Sequence, residues 1–111
     1  MTQVSVIIPN YNGMAYLPTV LESLGRQRFR DFRVILVDNG SEDESREYAA
    51  KNYPEVTQIA LDENYGFSEA VNRGITASDS PYVLLLNNDT QVEEDFVGEM
   101  VSAMRPRKIK P

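Results

Sequence analysis

Three residue types with distinctive chemistry are missing from this 111-residue sequence, which contains no cysteine, no histidine and no tryptophan. Without cysteine the chain can form no disulfide, no thiolate metal site and no cysteine nucleophile. Without histidine it has no imidazole base and no imidazole metal ligand. Any catalysis or metal binding must therefore use carboxylates, amides and hydroxyls.

Positive charge is also scarce, because 11 Lys and Arg residues stand against 17 Asp and Glu residues and the formal charge is −6. Proteins whose main partner is a nucleic-acid backbone carry a clustered basic excess, so the composition argues against a nucleic-acid partner. The basic run near the end of the sequence lies in residues 105–111. We interpret it as a basic tail that follows a single domain over residues 1–104.

Long apolar stretches are absent as well. No segment approaches the roughly 18 apolar residues that a membrane span requires, so the sequence predicts no transmembrane segment. Residues 1–4 lack the charged and apolar regions of a signal peptide. We therefore expect a cytoplasmic protein, and peripheral association of the parent protein with the inner face of the membrane stays open.

The sequence does contain a regular alternation of strand and helix patterns. Four short runs have the length and the Val, Ile and Leu content of β-strands, and the first, second and fourth are almost continuously apolar, as in a sheet covered on both faces. These runs are Val4 to Ile8, Arg33 to Val37, Val56 to Leu61 and Tyr82 to Leu86.

Each run is followed by a segment with helical spacing of its apolar residues. The first segment starts near Leu17 and ends near Gly25, and the second opens with a Ser-x-x-Glu capping box at Ser41 and runs to about Asn52. The third and fourth begin near Phe67 and Phe96. The order βαβαβαβα predicts an α/β, Rossmann-like open parallel sheet with helices on both faces.

A polar loop follows each predicted strand. The loops are Pro9 to Gly13, Asp38 to Ser41, Asp62 to Gly66 and Asn87 to Thr90. Taken singly, such loops are the ordinary material of turns and helix caps. In an open parallel sheet, however, all four emerge at the carboxyl edge, where ligands bind. We therefore expect their side chains to converge on one site.

Three positions in these loops have specific chemical uses. Asp89 follows a buried strand, and a carboxylate there suits Mg²⁺ or Mn²⁺, which share oxygen ligands with substrate phosphates. Asp38 could accept hydrogen bonds from a base or a ribose hydroxyl, and Tyr11 could stack on a base. The structural alternatives are a helix cap for each aspartate and a partly buried turn residue for Tyr11.

Four segments together resemble the nucleotide-binding half of family 2 glycosyltransferases of the GT-A fold, especially the rhamnosyltransferase-like members. They are Val4 to Asn12, Val37 to Ser41, Asn64 to Phe67 and Leu86 to Asp89, in the family's order and spacing. The resemblance extends from Val4 to about Met104. The dinucleotide-binding and P-loop glycine motifs are absent.

The resemblance implies an inverting transfer of a sugar from a nucleoside diphosphate-sugar donor to an acceptor hydroxyl. The acceptor would be a saccharide or a lipid-linked molecule, in cell-surface polysaccharide or glycolipid synthesis, and the cofactor would be Mg²⁺ or Mn²⁺. The implied metal ligand is Asp89. The implied nucleotide-binding residues are Pro9, Asn10, Tyr11, Asn12, Asp38, Asn64, Gly66, Asn87 and Asn88.

The sequence departs from the family pattern in two ways. Asn87 stands where the first acid of the family's Asp-x-Asp motif is usual, which removes a negative charge from the metal site. The chain is also shorter than a complete enzyme of this family, and the family's catalytic base lies in the part it lacks. We therefore expect a truncated chain that transfers no sugar alone and, with an exposed sheet edge, forms homo-oligomers.

Other functions remain to be weighed against this one. A non-catalytic nucleotide-sugar or partner-binding module of the same fold is the main alternative. Nucleotidyl transfer is less compatible, because the loop Pro9 to Gly13 has one glycine and no basic residue. A phospho-acceptor receiver domain needs an acidic pair after its first strand, where this sequence has Asn10 and Asn12.

Overall fold

The computed structural model describes residues 2–105, which contain one sheet of four parallel strands. The strands are β1 (Val4–Asn10), β2 (Phe32–Asp38), β3 (Thr57–Ala60) and β4 (Tyr82–Leu85), in the spatial order β3-β2-β1-β4. The open parallel sheet confirms the α/β fold. β1 and β2 run past their apolar segments, because their ladder continues to the polar pair Asn10 and Asp38.

Four helices follow the strands in turn, as the sequence predicted: α1 (Leu17–Gly25), α2 (Ser45–Asn52), α3 (Phe67–Ala77) and α4 (Phe96–Met104). Side chains of α1, α2 and α4 pack on the sheet face that presents Val4, Val6 and Ile8. α3 packs on the opposite face, where Ala70 meets Ile7. Both faces are therefore covered, and strand β1, between β2 and β4, is buried from both sides.

The α3 face is covered less completely than the other face. Leu85 on the edge strand β4 and Ile75 on α3 are both exposed.

Every helix within residues 2–105 is too short or too polar to span a membrane. The expectation of homo-oligomers stays a prediction.

α4 ends at Met104, and a domain boundary at that residue stays a prediction. Arg105, the first residue of the predicted basic tail, donates from its guanidinium to the side-chain oxygen of Gln3 at 3.0 Å. The remainder of that tail, residues 106–111, lies outside the described residues.

The predicted start of α2 at Ser41 is wrong, because the helix begins at Ser45 and Ser41 does not cap it. The Ser41 N–H donates to the carboxylate of Asp38 at 2.9 Å. The Ser41 hydroxyl oxygen accepts the N–H of Asn12, also at 2.9 Å. Asp38 and Asn12 therefore bond the Ser41 groups that a capping box would have needed.

Asp43 connects the loop after β1 to the first turn of α2. Its two carboxylate oxygens accept the N–H groups of Ser45 and Met14, each at 3.0 Å. Desolvation raises the pKa of Asp43, but hydrogen bonding from Ser45 and Met14 outweighs it, and the pKa lies below its ordinary value of 3.8. The ionised form of Asp43 therefore favours the folded state.

We expect the stability that Asp43 contributes to depend on pH. Because the folded pKa is lowered, the contribution is present above pH 3.8 and is lost as the pH falls through the folded value. Urea denaturation of the wild type and of Asp43→Asn should show a larger difference in unfolding free energy at neutral pH than at the acid end. An equal difference at both pH values would contradict this.

Gly74 allows α3 to lie close to the sheet. A Cβ atom at this position would lie 2.5 Å from Cγ2 of Ile7 and 3.2 Å from Cγ2 of Val37. Both neighbours are buried side chains on adjacent strands, so neither has space to move away. The position of α3 relative to β1 and β2 therefore depends on a residue without a side chain.

Substitution of Gly74 by alanine should destabilise the fold by about 1–3 kcal/mol, because overpacking outweighs the better helix propensity of alanine. Gly25→Ala is the matched control, since a Cβ atom at the end of α1 meets nothing within 4 Å. Chemical denaturation of both variants measures the difference. Equal stability of the two variants would show that α3 shifts without cost.

Candidate functional site

A cleft of about 440 Å³ opens at the carboxyl edge of the sheet, between the ends of β1, β2 and β4 and the start of α3. It brings together the polar loops that the sequence predicted to converge. Its lining residues are Pro9, Asn10, Tyr11, Asn39, Asn64, Gly66, Phe67, Asn87, Asn88 and Asp89. Of the residues predicted for the site, Asn12 and Asp38 do not line it.

Asp38 lies behind the cleft and is fully buried. One carboxylate oxygen accepts the Ser41 N–H at 2.9 Å, and the other accepts the side-chain amide of Asn10 at 3.2 Å. The Nε atom of Arg46 lies 3.7 Å from the oxygen that Ser41 contacts. Asp38 is thus satisfied by protein groups, and it reaches the cleft only through Asn10.

Asn12 joins two loops outside the cleft. Its backbone has a φ of +49°, a left-handed conformation that asparagine tolerates better than most residues. Its N–H donates to the Ser41 hydroxyl, and its side-chain oxygen accepts the N–H of Glu42 at 2.8 Å. Asn12 therefore holds the loop after β1 against the loop after β2.

Asn39 performs a similar task on the other side of the cleft. Its Nδ2 group donates to the carbonyl oxygen of Gly66 at 3.0 Å, and its Oδ1 atom accepts the N–H of Tyr65 at 2.9 Å. The adjacent Gly40 has a φ of +78°, and a Cβ atom there would lie 2.6 Å from the carbonyl carbon of Glu63. These contacts fix the loop of residues 62–66 beside β2.

Aromatic side chains lie at the rim of the cleft. Tyr11 is 47% exposed and Phe67 is 55% exposed, so both present ring surface to solvent. Phe67 ends the family motif Asn64 to Phe67, and its position in the first turn of α3 places it on the cleft. Such surfaces can stack on a flat base or on the apolar face of a sugar.

Tyr65 and Arg73 form a separate pair on the same loop and helix. The Tyr65 hydroxyl donates to Asp62 at 2.5 Å, and this hydrogen bond raises the pKa of Tyr65. The guanidinium of Arg73 lies 5.8 Å from the Tyr65 ring centre and pairs with Glu69 at 3.0 Å. None of these four residues is part of the cleft lining.

Asn87, Asn88 and Asp89 form the side of the cleft that follows β4. Asn87 and Asp89 are exposed and Asn88 is half-buried. The side chain of Asn88 donates to the side-chain oxygen of Asn10 at 2.9 Å. Because α4 begins only at Phe96, Asp89 caps no helix, and the structural alternative for this residue is excluded.

Among the described residues, Asp89 supplies the only carboxylate of the cleft lining. Residues 2–105 contain no cluster of three acidic or imidazole ligands that could enclose a metal ion by themselves. One carboxylate beside two amide side chains fits a hard cation that takes its other ligands from a diphosphate and from water. The residues present are therefore compatible with a shared Mg²⁺ or Mn²⁺ site.

The parallel sheet and its flanking helices define an α/β protein of the GT-A type. The chain matches the model of the family "Glycosyl transferase family 2" over residues 5–108. The chain therefore belongs to glycosyl transferase family 2, as its sequence motifs predicted. The rhamnosyltransferase-like assignment stays a prediction.

One relative illustrates how much of such a protein this chain represents. The chain is 39% identical over 93 residues to a PGL/p-HBAD biosynthesis glycosyltransferase of Mycobacterium bovis, and the match covers 81% of this chain. The same match covers 36% of the relative. The chain thus spans little more than a third of the length of that protein.

Two solved structures share the fold. The structure of S. aureus TarS 1-349 in complex with UDP superimposes with a TM-score of 0.83 at 25% identity, over 90% of this chain and 31% of that one. A mannosyltransferase from Pyrobaculum calidifontis in complex with GDP-Man and Mn²⁺ superimposes with a TM-score of 0.71 at 22% identity. That match covers 81% of this chain and 28% of the mannosyltransferase.

We expect Asn39→Ala to release the loop of residues 62–66. The substitution removes both hydrogen bonds of a buried amide and should lower the unfolding free energy by about 1–3 kcal/mol. The Tyr65 N–H should then exchange with solvent faster, which hydrogen exchange measures. Asn52→Ala is the control, because its amide bonds the Tyr48 carbonyl on the exposed end of α2. Equal losses in the two variants would contradict the role of Asn39.

Proposed function

We propose that this chain is the donor-binding part of an inverting glycosyltransferase that moves a sugar from a nucleoside diphosphate-sugar to an acceptor hydroxyl. The observation that carries the proposal is the convergence of one carboxylate, a set of amides and two exposed aromatic rings in a single cleft. A nucleoside diphosphate has the matching parts, namely a flat base, a polar ribose and a charged diphosphate.

The nucleoside end of the donor is assigned to the side of the cleft formed by Pro9, Tyr11, Asn64 and Gly66. The exposed ring of Tyr11 offers a stacking surface for the base. Loop 62–66 is held in place by Asn39, so this side of the cleft is formed before a ligand enters. The relative solved with UDP supports a nucleoside diphosphate as the ligand class.

The diphosphate end is assigned to Asn87, Asn88 and Asp89. In a protein with a formal charge of −6, a diphosphate needs a cation to offset repulsion. Asp89 would hold Mg²⁺ or Mn²⁺, and the bound cation would stabilise the charge that develops on the departing diphosphate. Asn87 would supply a neutral oxygen where a second acid is usual.

The catalytic base is assigned to a part of the protein outside residues 2–105. Inversion requires a carboxylate near the acceptor to take up its hydroxyl proton. Asp89 is the only carboxylate of the described cleft and is already assigned to the cation, while Asp38 is buried behind Asn10. We therefore expect donor binding but no sugar transfer by this chain alone.

The acceptor would be a saccharide or a lipid-linked molecule, in cell-surface polysaccharide or glycolipid synthesis. This assignment rests on the family and not on a contact in the cleft. A non-catalytic nucleotide-sugar module of the same fold is the second candidate, since one cleft carboxylate is sufficient for binding. Product formation from donor and acceptor by the complete protein distinguishes the two.

Isothermal titration calorimetry with UDP, GDP and dTDP, each with and without MnCl₂, tests donor binding. At least one diphosphate should bind more tightly with Mn²⁺. Asp89→Asn should weaken that metal-dependent binding at least about tenfold, or 1.4 kcal/mol. Asp31→Asn, an exposed carboxylate just before β2, should leave it unchanged. No metal-dependent heat from a folded wild-type sample with any of the three would refute the proposal.

A further inference from the structure

Three polar side chains form a row across the ends of three neighbouring strands. Asp38 ends β2, Asn10 ends β1, and Asn88 follows β4. The Asn10 Nδ2 group donates to Asp38 at 3.2 Å, and the Asn88 Nδ2 group donates to Asn10 Oδ1 at 2.9 Å. The row therefore connects the buried Asp38, behind the cleft, with the loop that carries Asp89.

The direction of both hydrogen bonds is determined by Asp38. A carboxylate only accepts, so the Asn10 atom that faces it must be the NH₂ group. The carbonyl oxygen of Asn10 then faces Asn88, which must present its own NH₂ group. Rotation of either amide by half a turn would place like atoms against each other.

Neither water nor another rotamer can easily replace this arrangement. Asn10 is only 2% exposed, so an unpaired amide there would carry its desolvation cost. The loop also passes very close to the Asn10–Asn88 bond at Gly13. A Cβ atom on Gly13 would lie 2.2 Å from both Asn10 Oδ1 and Asn88 Nδ2, so the bond can form only beside a residue without a side chain.

We propose that Asn10 is a positioning residue, which carries the orientation imposed by Asp38 to Asn88 and so fixes the Asn87–Asp89 loop before any ligand binds. Only the identity of what that loop holds, a cation with a nucleoside diphosphate, rests on the proposed function. Asp38 then influences the position of the Asn87–Asp89 loop without contacting the ligand. A preformed loop binds more tightly, because less ordering is required on binding.

The first experiment needs no ligand. In ¹H–¹⁵N spectra, the side-chain NH₂ signals of Asn88 should shift and exchange faster with solvent in Asp38→Asn. The new amide has a single acceptor oxygen, so it cannot accept from both Ser41 and Asn10. Asp38 does not contact Asn88, so the effect must pass through Asn10. Asp31→Asn is the control and should leave those signals in place. Unchanged Asn88 signals in a folded Asp38→Asn sample would overturn the proposal.

If Asp38→Asn does not fold, Gly13→Ala tests the Asn10–Asn88 bond itself, because the added Cβ atom would lie 2.2 Å from both bonded atoms. It should disturb the Asn88 NH₂ signals while Asp38 remains intact. Preserved Asn88 signals in that variant would equally overturn the proposal.

The second experiment measures coupling with Mn²⁺ and whichever of UDP, GDP or dTDP the wild type binds. Gly13→Ala and Asn88→Ala should each weaken metal-dependent binding about threefold to tenfold, the range expected for one hydrogen bond. The double variant should lose no more than the weaker-binding single variant, because both changes break the same bond. Additive losses would show independent roles and contradict the positioning role.

The two experiments separate the two proposals. A wild type without metal-dependent diphosphate binding refutes the proposed function, while the Asn88 signals still decide whether Asn10 positions the loop. A wild type that binds, with Asn88 unaffected by Asp38→Asn, refutes the positioning role alone.

Discussion

A carboxylate with no exposure to water lies at the end of β2, and the carboxyl edge of the sheet is organised around it. A buried charge must be satisfied by nearby donors, since leaving it unpaired is strongly unfavourable. Asp38 draws on the backbone of Ser41 and the side chain of Asn10, with Arg46 close by. Because the Ser41 N–H bonds Asp38, α2 begins only at Ser45. The bond between Asp38 and Asn10 orients the Asn10 side chain, which contacts Asn88.

The layers of the fold place this edge where a ligand can reach it. β1 and β2 are buried by helices on both faces, and the polar ends of these strands emerge together because all strands are parallel. Gly74 keeps α3 close to the sheet, and the start of that helix then brings Phe67 to the rim. The packing of one helix and the shape of the cleft are thus parts of the same arrangement.

The sequence predicted most of the residues that line the cleft, but not the separate role of each polar side chain. Pro9, Asn10, Tyr11 and the residues after β4 line the cleft, because residues that follow parallel strands must meet at one edge. The sequence predicted no role for Asn39, although this residue lies in the motif Val37 to Ser41. Its contacts with Tyr65 and Gly66 give it a role that differs from that of Asp38. The predicted capping box at Ser41 does not form, because Asp38 and Asn12 bond the Ser41 groups that it would have used.

The sequence by itself determined the α/β order, the parallel sheet, the edge at which polar loops converge and the family, because periodicity and strand-end motifs are local properties. The tertiary structure alone decided which polar side chains face the cleft and which bond one another. Asp38 and Asn12 carry an acid and an amide like those of the cleft lining, but Asp38 bonds Ser41 and Asn10, and Asn12 bonds Ser41 and Glu42. Hydrogen bonds between segments 28 to 78 residues apart made that choice, and no local pattern encodes them.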